Sequence, residues 1–362
     1  MKAKGLIAGA IAAASVSGAL ATGVHASPIT SGTEQVALTS GPKYDRNPVI
    51  LEDGKTTYQF FARSQNDCDR IPETCSADNS DYDLYYMTST DRGRTWSAPV
   101  LMAVNPGGGP TFRGRTISAT RTADGTIWVF WASGANGSVL HYFEKPPGQP
   151  FPSAPTGTLA DDEYFNAEVL SKGDTVFLYY EEGSGISEGI FVRTFDGTTF
   201  SPRQLISPAG SIPKAIVDHK GVFRMTWVDA SLFPDVDVRV TSSSDGINWA
   251  PPQTVIDGDG TITNWDASLA QGADKTYHLL WAPDQNNGSQ RIEMISSEDF
   301  STWSNRQVLT TGTDGTNNYW EYWPEAAALQ GNFLQVYFTS ERPTMDDPNG
   351  GTAHIYRMEI KA

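Results

Sequence analysis

A turn motif that recurs along the chain constrains the fold more than any other feature of the sequence. Its fullest copy, Ser89–Trp96, reads Ser-x-Asp-x-Gly-x-Thr-Trp, and looser copies end at Phe200, Trp249 and Trp303. The four closing aromatics are separated by 104, 49 and 54 residues. A unit of about 50 residues therefore repeats, and the longest interval contains a degenerate copy that ends near Phe151. Repeats of this length are typical of solenoids, propellers and other arrays.

Each repeat has the pattern of four short β-strands. Runs of β-branched and aromatic residues, such as Ile127–Trp131, alternate with Gly, Asp and Asn, and no sustained helical periodicity follows residue 26. The pattern predicts an all-β chain in which residues 27–362 form one six-bladed β-propeller with four antiparallel strands in each blade. The last unit ends on its third strand, and residues 34–39 look like the fourth strands of other units. We therefore predict that the N-terminal strand closes the last blade and removes an open edge.

The first 26 residues have the organisation of a secretory signal peptide. A basic start and a small, apolar stretch precede Val24-His25-Ala26, which offers a cleavage site. The apolar stretch is short and rich in Ala and Gly for a membrane span. We expect a secreted or periplasmic protein. Cys68 and Cys75, the only two cysteines, are expected to form a disulfide in that oxidising compartment.

The balance of charge narrows the range of partners. The formal net charge is −16, which disfavours binding to nucleic acid and to anionic membranes. An acidic exterior does not exclude a local basic pocket for an anionic substrate. We expect a monomer that binds carbohydrate and needs no cofactor, although acidic loops such as Asp235-Val236-Asp237 leave a calcium ion possible.

Alignment of the units on the glycine of their first hairpin brings polar residues to one equivalent position. The first strands of a propeller line its central channel, and six polar residues there are unexpected, because strands in a core prefer apolar side chains. They are predicted to form a ring at the mouth of the channel, where a ligand would bind; the alternative is a water-filled channel without a ligand. The six residues are Asn47, Ser118, Asn166, Lys214, Asp266 and Glu325.

Carboxylates that face one another across such a mouth suit glycoside hydrolysis, which needs an acid together with a base or nucleophile. Asp45, Asp266 and Glu325 are the catalytic candidates, and Glu321 is a further carboxylate assigned to the substrate site. A further set of polar residues is expected to bind the substrate. It includes two arginines, which can form bidentate hydrogen bonds. The alternative is that the arginines and the lysine of this set are structural ion-pair partners. That set consists of Arg46, Arg115, Asn166 and Lys214.

The turn motif and the length of the chain resemble the Asp-box, or BNR-repeat, propellers of the sialidase (neuraminidase) superfamily. Asp45-Arg46-Asn47-Pro48 is similar to the Arg-Ile-Pro motif with which that family opens, since it retains Arg-x-Pro. Phe61-Ala62-Arg63, followed by Asp67 or Asp69, lies at the matching distance from it. The resemblance implies a six-bladed propeller with glycosidase activity.

The resemblance also implies roles for individual residues. Arg46 would bind a substrate carboxylate with the help of Arg63, and Asp67 or Asp69 would be the acid/base. Tyr322 or Tyr319 would be the nucleophile.

Two arginines of the family's triad have no counterpart in this sequence. Trp227-Val228-Asp229 occupies the region of one, and Tyr277–Trp281 contains no arginine in the region of the other. A relative that acts on another sugar, such as an exo-arabinanase-like glycosidase, would share the fold without the triad. The sequence thus predicts a secreted, exo-acting glycoside hydrolase that cleaves terminal sugars, not necessarily sialic acid.

Two alternatives come from other classes of protein. A carbohydrate-binding propeller without activity would present similar pockets in several blades, whereas the predicted mouth differs from blade to blade. A polysaccharide lyase would use a tyrosine or histidine base beside a cation such as Lys214 or Arg115.

Overall fold

The computed structural model shows a propeller built entirely of β-strands. It describes residues 34–65, 82–105, 117–133, 139–182, 189–260, 262–285, 289–328, 333–343 and 352–361. Twenty-four strands in these ranges form six four-stranded antiparallel sheets. Within the same ranges no helix has the length and apolar character needed to span a membrane. The predicted fold class is therefore confirmed.

The first three blades follow one another along the chain. Blade 1 consists of β2 (Asp45–Asp53), β3 (Thr56–Ser64), β4 (Tyr82–Ser89) and β5 (Val100–Ala103). Blade 2 consists of β6 (Ile117–Arg121), β7 (Ile127–Ser133), β8 (Val139–Lys145) and β9 (Gly157–Leu159). Blade 3 consists of β10 (Phe165–Lys172), β11 (Thr175–Glu181), β12 (Ile190–Phe195) and β13 (Gln204–Ser207).

The remaining three blades complete the ring. Blade 4 consists of β14 (Ser211–Val217), β15 (Phe223–Leu232), β16 (Asp235–Ser243) and β17 (Gln253–Ile256). Blade 5 consists of β18 (Asn264–Gln271), β19 (Tyr277–Pro283), β20 (Glu293–Ser297) and β21 (Gln307–Val308). Blade 6 consists of β22 (Glu321–Ala328), β23 (Phe333–Ser340), β24 (His354–Lys361) and the N-terminal β1 (Val36–Ala37).

The N-terminal strand closes the ring, as predicted. In blade 6, β1 pairs antiparallel with β24, with Val36 opposite Arg357. Two further bonds extend this pairing: Leu38 N donates to the carbonyl of Ile355 at 2.7 Å, and Ile355 N donates to Thr39 Oγ1 at 2.9 Å. The start of the chain therefore satisfies the backbone groups of a strand that would otherwise be an open edge.

Six hydrophobic clusters hold the blades together, one at each junction between neighbours. Phe60 and Trp131 belong to the cluster between blades 1 and 2, and Phe61 and Ile355 to the one between blades 1 and 6. The other four clusters fill the junctions between blades 2 and 3, 3 and 4, 4 and 5, and 5 and 6. Each sheet buries both faces, which explains why the central strands are almost continuously apolar.

The first strand of every blade contacts the first strand of the next, and β22 contacts β2, so the six line a central channel. All six run in the same direction. We call the end of the channel where these strands begin the upper face, and the end where they turn into the second strands the lower face.

The recurring turn motif lies at the lower face and has a structural role. In its first copy Ser89 Oγ donates to Asp91 Oδ1 at 2.8 Å, and the amides of Gly93 and Thr95 donate to Ser89 Oγ at 2.7 Å and Asp91 Oδ1 at 2.8 Å. Trp96 then packs edge-on against Tyr337 of blade 6, at 6.0 Å between ring centroids. The turn thus joins one blade to its neighbour.

Phe151, the expected end of the degenerate copy, packs in the same manner against blade 1. Its ring centroid lies 5.0 Å from that of Tyr86.

Candidate active site

In five blades the first strand carries a bulge near the upper face. At this bulge five blades contain a residue with φ between 50° and 55°, which is strained for any residue with a side chain, and above all for a bulky one. Each lies at a shift in register between the first and second strands. The five residues are Asn47, Asn166, Ile212, Asp266 and Trp323.

The structure differs from the predicted single ring of six polar residues. Asn47, Asn166 and Asp266 occupy the bulge, but Lys214 and Glu325 lie two residues beyond the bulge residues of their own blades. The alignment fails because the first hairpins differ in length. The turn that joins the first strand to the second has two residues in blades 1 and 3 but five in blades 2, 4 and 5. The glycine of this turn is therefore not at a fixed number of residues from the bulge.

A cluster of two tyrosines and a carboxylate lies at the upper face where blades 1 and 6 meet. Tyr322 Oη donates to Glu341 Oε1 at 2.9 Å. The hydroxyl of Tyr44, which directly precedes β2, bonds both to the Tyr322 hydroxyl and to the same oxygen of Glu341. Tyr322 and Tyr44 remain 6% and 8% exposed. The three groups, which we call the tyrosine cluster, come from the two ends of the chain.

Burial dominates the electrostatics of the tyrosine cluster. It raises the pKa of Glu341 above its ordinary value, while the bonds from Tyr44 and Tyr322 act in the opposite direction. Burial, reinforced by the nearby Glu341 carboxylate, also raises the pKa of both phenols well above 10. Both tyrosines are therefore neutral, and Glu341 is a stronger base than an exposed glutamate, with two phenolic protons in direct contact.

Arg46 lies beneath this cluster. Its side chain is fully buried, and its guanidinium carbon lies 4.1 Å from the ring centroid of Tyr82 and 5.7 Å from that of Trp323. A cation stacked on aromatic faces is held in position by the ring quadrupoles. In this arrangement Arg46 contributes positive charge beneath the site but is not exposed to solvent.

Asp45 and Arg63 bind each other. Arg63 Nε and Nη2 donate to the two carboxylate oxygens of Asp45 at 2.6 and 2.7 Å, and Asp45 is fully buried. Burial raises the pKa of Asp45, against the effect of Arg63. The bidentate bond links β2 to β3 directly below Tyr44.

The other predicted residues of blades 3, 5 and 6 lie at the upper face in separate interactions. Asn166 Nδ2 donates to Glu181 Oε2 at 2.9 Å, and Asp266 Oδ2 accepts from the amide of Trp323 at 3.4 Å. Glu321 is fully buried and pairs with Arg342, whose guanidinium also lies 5.5 Å from the ring centroid of Tyr319.

A second charged cluster crosses the channel one level below the bulges. Lys214 Nζ lies 3.0 Å from Glu168 Oε1 and 2.8 Å from Glu325 Oε2, and Ser118 Oγ donates to Glu168 Oε2 at 3.0 Å. We call these four residues the channel cluster. Three of its members, Glu168, Lys214 and Glu325, line a cavity of about 420 Å³ that extends to Asp218 at the lower face. The channel cluster joins blades 2, 3, 4 and 6.

Several predicted residues lie outside the described residues: Asp67, Asp69, Arg115, Cys68, Cys75 and the signal segment 1–26. Segment 66–81 connects β3 to β4. The last residue of β3, Ser64, and the first residue of β4, Tyr82, both lie at the upper face. In the part of the chain that is described, no group of three or more His, Cys, Asp or Glu side chains could hold a metal ion.

Comparison with known proteins supports the fold. No family model matches the chain, and no curated protein matches it. Among solved structures, a protein of unknown function from Dyadobacter fermentans superposes with a TM-score of 0.66 at 13% identity, covering 91% of this chain and 98% of the other. An α-L-arabinanase from Penicillium chrysogenum gives 0.59 at 11% identity, over 92% and 98% of the two chains.

The NanB sialidase from Streptococcus pneumoniae gives a TM-score of 0.56 at 11% identity, over 91% of this chain and 71% of the sialidase. An ulvan lyase of family PL25 gives 0.52 at 11% identity, over 88% and 86%. At these identities the likeness establishes a shared propeller fold.

Tyr44, Glu341, Glu168 and Glu181 are not among the residues predicted from the sequence. Glu341 directly follows β23, and Tyr44 directly precedes β2. Each residue therefore adjoins the end of a strand at the upper face. A search of all upper strand ends, rather than of first strands alone, would have included them.

Proposed function

We propose that this protein is a carbohydrate-active enzyme, a glycoside hydrolase whose reaction takes place at the tyrosine cluster. The observation that carries the proposal is the hydrogen bond of 2.9 Å between Tyr322 Oη and Glu341 Oε1 at the mouth of a propeller. A neutral phenol is a weak nucleophile, and an adjacent base of raised pKa is the usual means of activating it. The fold shared with an arabinanase and a sialidase is consistent with this chemistry.

In the proposed reaction Glu341 accepts the phenolic proton as Tyr322 Oη attacks the anomeric carbon. The bond from that carbon to the leaving oxygen breaks, and an acid protonates the oxygen; Asp67 or Asp69 is the proposed donor. Water then releases the sugar from Tyr322 with the same groups acting in reverse. Tyr44 donates to the same oxygen of the Glu341 carboxylate as Tyr322 does, and the buried Arg46 supplies positive charge nearby.

The test is release of reducing sugar from a panel of neutral and acidic glycans. We expect Tyr322→Phe and Glu341→Gln to lower the rate about 100-fold or more, because each removes one half of the activated pair. Tyr277→Phe is a matched control, since Tyr277 is a buried tyrosine that donates to Asp218 at 2.7 Å but lies at the lower face. Retention of most activity by Tyr322→Phe would refute the proposal. The melting temperature of the variant should be near that of the wild type, so that a loss of activity is not a loss of folding.

A polysaccharide lyase is the second candidate, because a tyrosine bonded to a carboxylate can also abstract a proton next to a uronate. The ulvan lyase shows that the same fold can carry such a reaction. A lyase would generate an unsaturated product that absorbs in the ultraviolet, whereas a hydrolase would not. Binding of several equivalent sugars without any cleavage would instead indicate a carbohydrate-binding propeller.

Export is a separate part of the proposal. It rests on the signal-like residues 1–26, and N-terminal sequencing of the mature protein tests it. A mature chain that still begins at Met1 would contradict export.

A further inference from the structure

Two large aromatic side chains are exposed at the upper face, and one of them lies two residues from Tyr322. Among the described residues three aromatics have more than about two fifths of their surface exposed: Phe233 at 58%, Trp320 at 45% and Phe333 at 46%. Phe333 begins β23 at the lower face, whereas Phe233 and Trp320 lie at the upper face. Single exposed rings are common on protein surfaces, so it is their position relative to the proposed site that bears on ligand binding.

Trp320 is directly connected to the proposed active site. It stands two residues before Tyr322, and its carbonyl accepts a hydrogen bond of 2.9 Å from the amide of Glu341. An extended backbone advances about 3.3 Å per residue, so the backbones of Trp320 and Tyr322 are about 7 Å apart. A sugar bound at Tyr322 would therefore have its neighbour close to Trp320.

Phe233 lies at the upper end of the hairpin formed by β15 and β16. In blade 4, β15 and β16 have 10 and 9 residues, and Leu232 still pairs with Asp235 across the turn at Phe233 and Pro234. Leu232, beside Phe233, is 74% exposed. Between blades 4 and 6, Trp265 of blade 5 directly precedes the bulge residue Asp266, as Tyr322 precedes Trp323; it packs partly against the cluster between blades 4 and 5 and remains half-buried. Aromatic rings therefore follow the upper face across three consecutive blades.

The part of this edge around Phe233 and Trp265 is strongly negative, whereas Arg342 and Arg291, near Trp320, pair with Glu321 and Glu293. In the described parts of segments 229–240, 256–266 and 282–285 the one basic residue is Arg239, which pairs with Asp229 at 3.0 Å. Burial, together with the charges of Asp237 and Asp235, raises the pKa of Asp257. The carboxylates in these segments are Asp229, Asp235, Asp237, Asp257, Asp259, Asp266 and Asp284.

We infer that this surface binds a neutral polysaccharide chain, with Trp320, Phe233 and the exposed part of Trp265 as stacking positions for sugars that lead away from the tyrosine cluster. Sugars present an apolar face that packs on aromatic rings, and their hydroxyls bond well to carboxylates. An anionic glycan would be repelled by the aspartates and would find Arg46 buried and Arg63 already paired with Asp45. The inference rests on the proposed function, since it names the class of substrate for that site.

The experiment is affinity electrophoresis of the full chain in gels that contain one polysaccharide each. The neutral probes are arabinan, galactan, xylan and mixed-linkage β-glucan, and the anionic probes are polygalacturonate, ulvan and polysialic acid. Every variant is made in the Tyr322→Phe background, so that binding is measured without cleavage. At least one neutral probe is expected to retard the protein. Trp320→Ala and Phe233→Ala should each weaken that retardation about 2- to 12-fold, the range expected for loss of one aromatic contact.

Phe333→Ala, the exposed aromatic on the lower face, is the matched control and should leave retardation unchanged. The inference is wrong if only anionic probes retard the protein, if none does, or if Phe333→Ala weakens binding as much as Trp320→Ala. It is also wrong if Phe233→Ala changes the sedimentation coefficient and not the retardation, because the rings would then join two copies of the chain. Loss of activity in Tyr322→Phe with binding retained supports both proposals, and unchanged activity refutes only the first.

Discussion

Replacement of Lys214 by methionine would remove the cation from the channel cluster and leave two buried carboxylates facing each other. Lys214 lies 3.0 Å from Glu168 and 2.8 Å from Glu325, and all three side chains are about nine-tenths buried or more. At an effective dielectric constant of 20, each contact corresponds to an attraction of about 6 kcal/mol, most of which offsets the desolvation of the charges. The net loss should therefore fall near the 3–5 kcal/mol typical of a buried pair that loses one partner.

Thermal unfolding followed by circular dichroism measures this loss. At roughly 2 °C per kcal/mol for a chain of this size, Lys214→Met should melt about 6–10 °C below the wild type. The triple variant Lys214→Met, Glu168→Gln, Glu325→Gln has no charge left in the cluster, and it should recover most of that difference. Stability would then rise as more interactions are removed, because the cost comes from uncompensated charge and not from the number of lost contacts.

Two results would refute this reasoning. A loss of less than about 1 kcal/mol in Lys214→Met would mean that water screens the cluster as it screens a surface pair. A triple variant that is no more stable than Lys214→Met would mean that packing, rather than charge, dominates.

Three further predictions concern other parts of the molecule. Gly93→Ala should lower the melting temperature clearly more than Gly197→Ala. Both glycines have positive φ, but a Cβ at Gly93 would clash with the hydroxyl of Tyr337, while one at Gly197 meets nothing within 4 Å. Equal shifts in a thermal melt would contradict the packing argument. Activity should rise with pH through a midpoint above the ordinary pKa of a glutamate, because burial raises the pKa of Glu341 and this base must be deprotonated to act. A pH–rate profile checks this, and Glu341→Gln should abolish the rise of the rate at acidic pH. Deletion of residues 34–39 should expose the edge of β24 and cause aggregation detectable by light scattering; a monomeric, equally stable product would argue that blade 6 does not need β1.

The sequence by itself determined the scaffold. The spacing of Trp96, Phe200, Trp249 and Trp303 defined the repeat, and the incomplete last unit predicted that the N-terminal strand closes the ring. These features are visible in sequence because a blade needs the same local turn chemistry and the same apolar strands wherever it occurs.

The tertiary structure decided which side chains meet. Tyr44 and Glu341 are 297 residues apart and bond only because closure brings blades 1 and 6 together. Lys214 and Glu325 form the channel cluster instead of a ring with Asn47, because bulges and hairpins of unequal length change the register from blade to blade. Local patterns repeat with the chain, but contacts across a closed ring depend on register and closure, which no single repeat encodes.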